Sequence, residues 1–291
     1  MNKSFDDSGA HFETSVFVNY IIIVESLGAD ELHTGRKLAE DLELECKRNK
    51  WGLRYERVAS RVEFVELLDR LKQEATEGLR PILHLEMHGS QVDGLTLLSG
   101  EVVNWYDFAE HARQIVRATD NNFVVVSAAC FGIYAIAQAN IWDTTPFTML
   151  IGSDRAVKQG EILPAFVPFY RDLIVNGLIT AASRFLPAGY STYICERLLV
   201  QGYAKYYRRS VVGRGGDKRV EDLVTAMRQQ DSSRKLNVLR RQVRERLRSS
   251  VDFERAKRLF LLSDRPFNKT RFVMDFAGIK EFVRNAVRRG L

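Results

Sequence analysis

A chain of 291 residues with 45% apolar content can bury a full core and hold an α/β domain plus an appendage. No apolar run approaches the roughly 18 residues needed to cross a bilayer, and the polar, acidic opening at residues 1–9 has no signal-peptide pattern, so neither a membrane protein nor a secreted one is expected. The net charge of +6 conceals an asymmetry, because residues 201–291 carry 24 Lys and Arg against 10 Asp and Glu while the rest of the chain carries 19 against 27.

The cysteines are Cys46, Cys130 and Cys195, an odd and sparse set that builds no disulfide framework and points to a reducing, cytoplasmic setting. After a polar segment at residues 1–15, β-rich apolar runs alternate with helical patterns, the signature of crossover units and a mostly parallel sheet. A first strand is expected at 17–24. The loop 25–33 follows, and Thr34 can cap a helix to about 48 with Leu38, Leu42 and Leu44 inward. A second strand (52–58) leads to a helix at 62–75, whose Phe64, Leu67, Leu68 and Leu71 recur at helical spacing before Gly78 ends it. The third strand is 81–87.

A turn-rich stretch at 93–103 reads as a small hairpin around Ser99-Gly100, followed by a helix at about 106–118. The fourth strand, 122–127, is almost wholly apolar, which suits the centre of a sheet covered on both faces. A helix at 132–139, a fifth strand at 147–152 and a helix at 162–176 complete a domain over 16–185. Beyond about Phe185 the strand signals fade. The basic region 186–291 is expected to be mainly helical, with helices at 194–207, 220–229 and 236–262 and a flexible loop at 213–218. The expected fold class is therefore α/β: an open, mostly parallel sheet flanked by helices, followed by a helical C-terminal region.

His88 follows the third strand and Cys130 the fourth, and the helix between makes these strands parallel neighbours. Both side chains then emerge at the carboxyl edge, where open parallel sheets place their ligands. A cysteine attacks as thiolate, a state favoured by a following helix N-terminus and a nearby imidazolium. His88 serves as general base and then as acid, and the backbone N–H groups of Gly89 and Cys130 are candidates for an oxyanion hole.

An apolar strand ending in His88-Gly89, then one ending in Ala129-Cys130-Phe131-Gly132, resembles the caspase, metacaspase and CHAT superfamily of cysteine peptidases. The resemblance covers about residues 17–180, including Thr34-Gly35, Trp51-Gly52, Ile151 to Arg155 and the block through Phe169-Tyr170-Arg171. It implies a caspase-like domain and a peptidase that cleaves a protein or peptide without a cofactor, switched by an activating protein partner. Ser153-Asp154-Arg155 resembles the Ser-x-Arg segment that in caspases contacts substrate, so Arg155 is expected at the specificity pocket, with an acidic side chain or a small or apolar one before the cut as the two candidates. Ala128 stands where metacaspases carry an acidic residue, and the loop after the first strand offers Asp30, Glu31 and His33 in place of the caspase arginine.

Other chemistries compete with the peptidase. His84, Glu86 and His88 alternate along one strand and so share a face, making a metal-dependent hydrolase an alternative. His84-Leu85-Glu86 also matches half of the zinc deaminase signature, whose Pro-Cys-x-x-Cys half is missing. A buried structural role for Cys130 would leave a catalytically silent, caspase-like scaffold. Cys46, Cys195, His11, His33 and His111 read as ordinary residues. The run Arg240, Arg241, Arg244, Arg246 and Arg248 is either a solvated face or a surface for an acidic partner or polyanion.

Overall fold

The computed structural model describes residues 15–288. The expected polar segment at 1–15, with His11, lies outside the described residues except for Ser15. The described chain divides into two compact units, one of residues 15–140 with 144–195, the other of residues 141–143 with the chain from Glu196 onward.

The first unit is an α/β sheet structure. Its elements run β1 (Tyr20–Ser26), α1 (Thr34–Arg48), β2 (Gly52–Arg57), α2 (Arg61–Thr76), β3 (Pro81–Ser90), β4 (Gly94–Thr96), β5 (Val102–Val103), α3 (Trp105–Ala118), β6 (Val124–Ser127), β7 (Met149–Ser153), α4 (Gln159–Asn176), α5 (Ile179–Ala182) and β8 (Tyr190–Ile194). A 3-10 helix at Gly132–Gln138 follows β6. The sheet order is β2-β1-β3-β6-β7-β8, parallel throughout except for β8, which pairs antiparallel to β7. It is the expected open, mostly parallel sheet flanked by helices.

Side chains alternate across the pleat, which sorts the core. Ile21, Ile23, Ile82, Val124, Val126, Met149 and Ile151 share a cluster with Leu38 and Leu42 of α1 and Phe166, Phe169 and Tyr170 of α4. Ile22, Leu83, Val125 and Leu150 take the opposite face and are equally buried. The helices there are α2 and α3, which pack on each other through Phe64 and Phe108, ring centroids 6.1 Å apart. Ser60 caps α2 by accepting from Glu63 N, and Asn104 caps α3 by accepting from Asp107 N.

Four expectations change. Thr34 is the first residue of α1 rather than its cap: its hydroxyl donates to buried Glu86, and no side chain of the preceding residue caps the helix. Leu44 is exposed on the outer face of α1. β3 continues to Ser90, because the hairpin takes over its pairing with His88 opposite Thr96 and Gly89 opposite Leu95. The strand signal does not end at Phe185, since Tyr190–Ile194 closes the sheet edge and carries the first unit on to Cys195.

The second unit is helical: α6 (Cys195–Ser210), α7 (Gly213–Gln230), α8 (Leu236–Arg248), α9 (Val251–Leu261) and α10 (Phe276–Arg288). Its core is aromatic, with the Tyr203 ring 5.1 Å from Phe253 and Tyr207 5.5 Å from Phe276. The expected loop at 213–218 is instead the first turns of α7. A Cβ on Gly215 would lie 1.9 Å from the Arg209 carbonyl oxygen, so the glycine is there for close backbone approach and not for flexibility. The expected single helix over 236–262 breaks at Ser249-Ser250 into α8 and α9. Among the described residues no helix is long and apolar enough to cross a membrane.

Candidate active site

The last parallel rung between β3 and β6 is the bond from Ala128 N to the Leu85 carbonyl, 2.9 Å. Beyond it both strands deliver their terminal residues to the same edge. Gly89 lies so close to Cys130 that a Cβ there would fall 2.2 Å from the Cys130 carbonyl oxygen. The chain then turns sharply. Phe131 adopts a left-handed conformation at φ 57, a costly state for a bulky residue. Its N–H donates to the Arg155 carbonyl (3.1 Å), and Gly132 N donates to the Ala129 carbonyl (3.2 Å). Gly132 packs on Ser127, where a Cβ would meet Oγ at 2.1 Å. The expected helix behind Cys130 is thus a 3-10 helix entered through a strained turn.

Cys130 is half-buried, unlike Cys46 and Cys195, which are buried, and none of the three forms a disulfide among the described residues. The N–H of Val157 donates to Cys130 Sγ at 3.2 Å. His88 is the exposed member, at 61% of its side chain, and its Nε2 lies 3.1 Å from Oε1 of Glu31. Glu31 comes from the loop between β1 and α1. Its Oε2 accepts from Gly28 N (2.7 Å) and its Oε1 from Gln159 Nε2 (3.4 Å). Four segments therefore meet at this edge: the ends of β3 and β6, the β1–α1 loop, and the residues leading into α4.

Ser153, Asp154 and Arg155 leave β7 beside this cluster. The buried Ser153 hydroxyl donates to the Arg155 carbonyl (3.0 Å) and accepts from Arg155 N (3.2 Å), while Asp154 N donates to Gly189 O (2.9 Å). The Arg155 guanidinium is occupied within the chain. Nε donates to Ala188 O, Nη1 to Ala156 O and Nη2 to Glu161 Oε2, at 3.0, 2.9 and 2.8 Å.

His84, Glu86 and His88 do share the face toward α1 and α4, yet they serve different partners. His84 is fully buried, with Nδ1 3.0 Å from Tyr170 Oη and Nε2 3.1 Å from Glu86 Oε1. The other Glu86 oxygen accepts from Thr34. Burial raises the Tyr170 phenol well above its ordinary value, with Glu86 adding to the shift, so it stays a neutral hydrogen-bonding group. Among the described residues no three His, Cys, Asp or Glu side chains are grouped to hold a metal ion.

A second buried carboxylate, Glu25, accepts from Gly35 N (3.0 Å) and Tyr55 Oη (2.7 Å) and lies 2.7 Å from His33 Nδ1. Together Glu25 and Glu86 grip the first turn of α1, where unpaired N–H groups and the helix dipole favour negative charge. The clamp fixes the exit of the loop that carries Glu31. Sequence reading singled out neither Glu31 in contact with His88 nor Val157 on the sulfur, because both contacts join segments far apart in the chain.

No protein-family model and no curated protein matches this chain.

Proposed function

We propose that the chain is a caspase-like cysteine peptidase with Cys130 as nucleophile and His88 as its acid–base partner. The observation that carries this is the close backbone approach of Gly89, the residue after His88, to Cys130 at the carboxyl ends of adjacent parallel strands, with the Val157 N–H directed at the sulfur. The Cys130 thiolate bonds to the carbonyl carbon of the substrate peptide. The tetrahedral oxyanion then collapses, the C–N bond breaks, and His88 gives its proton to the leaving amine. His88 next takes a proton from water. The resulting hydroxide attacks the thioester carbonyl, the C–S bond breaks, and the new carboxylate and the Cys130 thiolate are released. Gly89 N and Cys130 N are the donors we assign to the oxyanion.

Ser153, Asp154 and Arg155 form the proposed substrate rim. An acidic substrate side chain would have to displace Glu161 from Arg155, whereas a small or apolar one would not, so the unchanged ion pair favours the small or apolar class. Three cysteines without a disulfide among the described residues support a cytoplasmic setting. The basic helical unit is the proposed surface for an acidic partner or polyanion and for regulation by an activating protein.

The assignment is tested with a positional peptide library, comparing the parent with Cys130→Ala and His88→Ala. Both variants should keep the fold and lose turnover. Retained cleavage by purified Cys130→Ala protein would end the peptidase assignment.

A further inference from the structure

Glu31 stands between His88 and the body of the protein. Its carboxylate is held from behind by Gly28 N at 2.7 Å and from the side by Gln159 Nε2 at 3.4 Å, and its own N–H closes a turn onto the Gly28 carbonyl at 3.2 Å. Downstream, the loop ends at α1, which Glu25 and Glu86 clamp. Glu31 is also more shielded than the histidine it meets, 23% exposed against 61%. The contact is an ion pair and not an aligned hydrogen bond, so it acts on His88 through charge. A protonated His88 gains a fixed negative charge beside it.

We propose that Glu31 is a positioning residue for His88: its tethered carboxylate holds the Nε2 edge of the ring toward the β1–α1 loop and stabilises the imidazolium formed during the reaction. The role rests on the assignment of His88 and Cys130 as the reacting pair. It assigns to the β1–α1 loop a task that no sequence motif marks, and it explains why that loop is tethered at both ends.

The test measures the rate of iodoacetamide alkylation at Cys130, mapped by mass spectrometry across pH, in the parent, Glu31→Ala, Glu31→Gln and His88→Ala. Ring nitrogen resonances of His88 report its protonation independently of reactivity. Partners that orient a metal-bound histidine contribute about 10–100-fold, and Glu31→Ala should slow alkylation near neutral pH by a factor of that order. Its rate profile should move to higher pH, and the His88 ring should lose its proton at lower pH than in the parent. Glu31→Gln, which keeps the shape but not the charge, should behave like Glu31→Ala. If His88→Ala is slow while both Glu31 variants match the parent in rate, pH profile and His88 protonation, the role of Glu31 is overturned and the reacting pair stands. If His88→Ala alkylates Cys130 as fast as the parent, the pair itself fails, and the role of Glu31 with it.

Discussion

Gly89 and Cys130 touch through their backbones: the position a Cβ would take on Gly89 is 2.2 Å from the Cys130 carbonyl oxygen and 3.2 Å from the Ala129 side chain. The obstructing atom is main chain in the turn that follows β6, held by its hydrogen bonds, so it cannot rotate away as a side chain would. Gly89→Ala should therefore force β3 and β6 apart at the site edge. Overpacking of this kind costs about 1–3 kcal/mol, read as a lower urea midpoint, and Cys130 alkylation should change with it. A variant with parent stability and parent alkylation rate would show that the strand ends yield freely.

Cysteine reactivity should be sharply selective. Cys46 is buried in the α1 core, where desolvation, helped by Glu45, raises its thiol from 9.0 to about 11. Cys195 is equally buried. Brief treatment with iodoacetamide at near-neutral pH should modify Cys130 first, and peptide mapping reads the order. Labelling of Cys46 at the same rate as Cys130 in folded protein would contradict it.

The Cys46 shift also sets a direction for stability. A group whose folded value lies above its unfolded one contributes stability that is intact below the unfolded value and is lost as pH rises through the folded one. For Cys46 that loss runs from about pH 9 to about pH 11. Burial raises the phenols of Tyr170 and Tyr190 in the same direction, so they add to the loss from about pH 10 upward. Melting temperature should hold up to pH 9 and then decline, less steeply in Cys46→Ala. A flat curve to pH 11 would refute the expectation.

Thr34→Val keeps the shape of the side chain and removes the hydroxyl that donates to Glu86. Glu86 is 1% exposed and retains His84 as partner, so the loss is one bond to a buried carboxylate. A missing bond of this kind costs about 1–3 kcal/mol. Urea unfolding measures it, and Thr34→Ser should restore most of the difference. Equal midpoints for Thr34→Val and the parent would remove the clamp on α1.

The arginine run on α8 is partly spent within its own unit. Arg240 makes a forked pair with Glu221 at 2.8 Å, Arg246 meets Asp252 at 2.8 Å and Arg244 lies 3.7 Å from Asp217, whereas Arg241 and Arg248 make no ion pair among the described residues. Binding of heparin, used as a probe polyanion, should therefore fall more on Arg241→Ala/Arg248→Ala than on Arg240→Ala, and steeply with salt. Affinity that is insensitive to ionic strength would leave a solvated face as the account of these residues.

The sheet was legible because its strands are continuous apolar runs such as Phe123 to Val126, which only a two-sided cover explains. The same logic put His88 and Cys130 at one edge. β8 was harder to see: Tyr190–Ile194 is short, half-buried and mixed in polarity, and its pairing with β7 is what makes it a strand. The glycines at 213–216 looked like a loop because glycine disfavours helices, yet close packing on Arg209 and Val211 outweighs that cost. The occupied Arg155 guanidinium lay beyond reach for another reason, since Ala188 and Glu161 become its partners only once β8 and α4 are folded beside it.

Phe131 gives the turn after Cys130 a trade-off. A left-handed residue with a side chain costs about 1–2 kcal/mol, and the bond from Phe131 N to the Arg155 carbonyl holds it there against that preference. Relaxing the turn would make the protein sturdier and the sulfur less well aimed. Under the proposed peptidase role, melting temperature and turnover should accordingly move in opposite directions at this one position, so that screening for thermal robustness alone would tend to select against the turn geometry around Cys130.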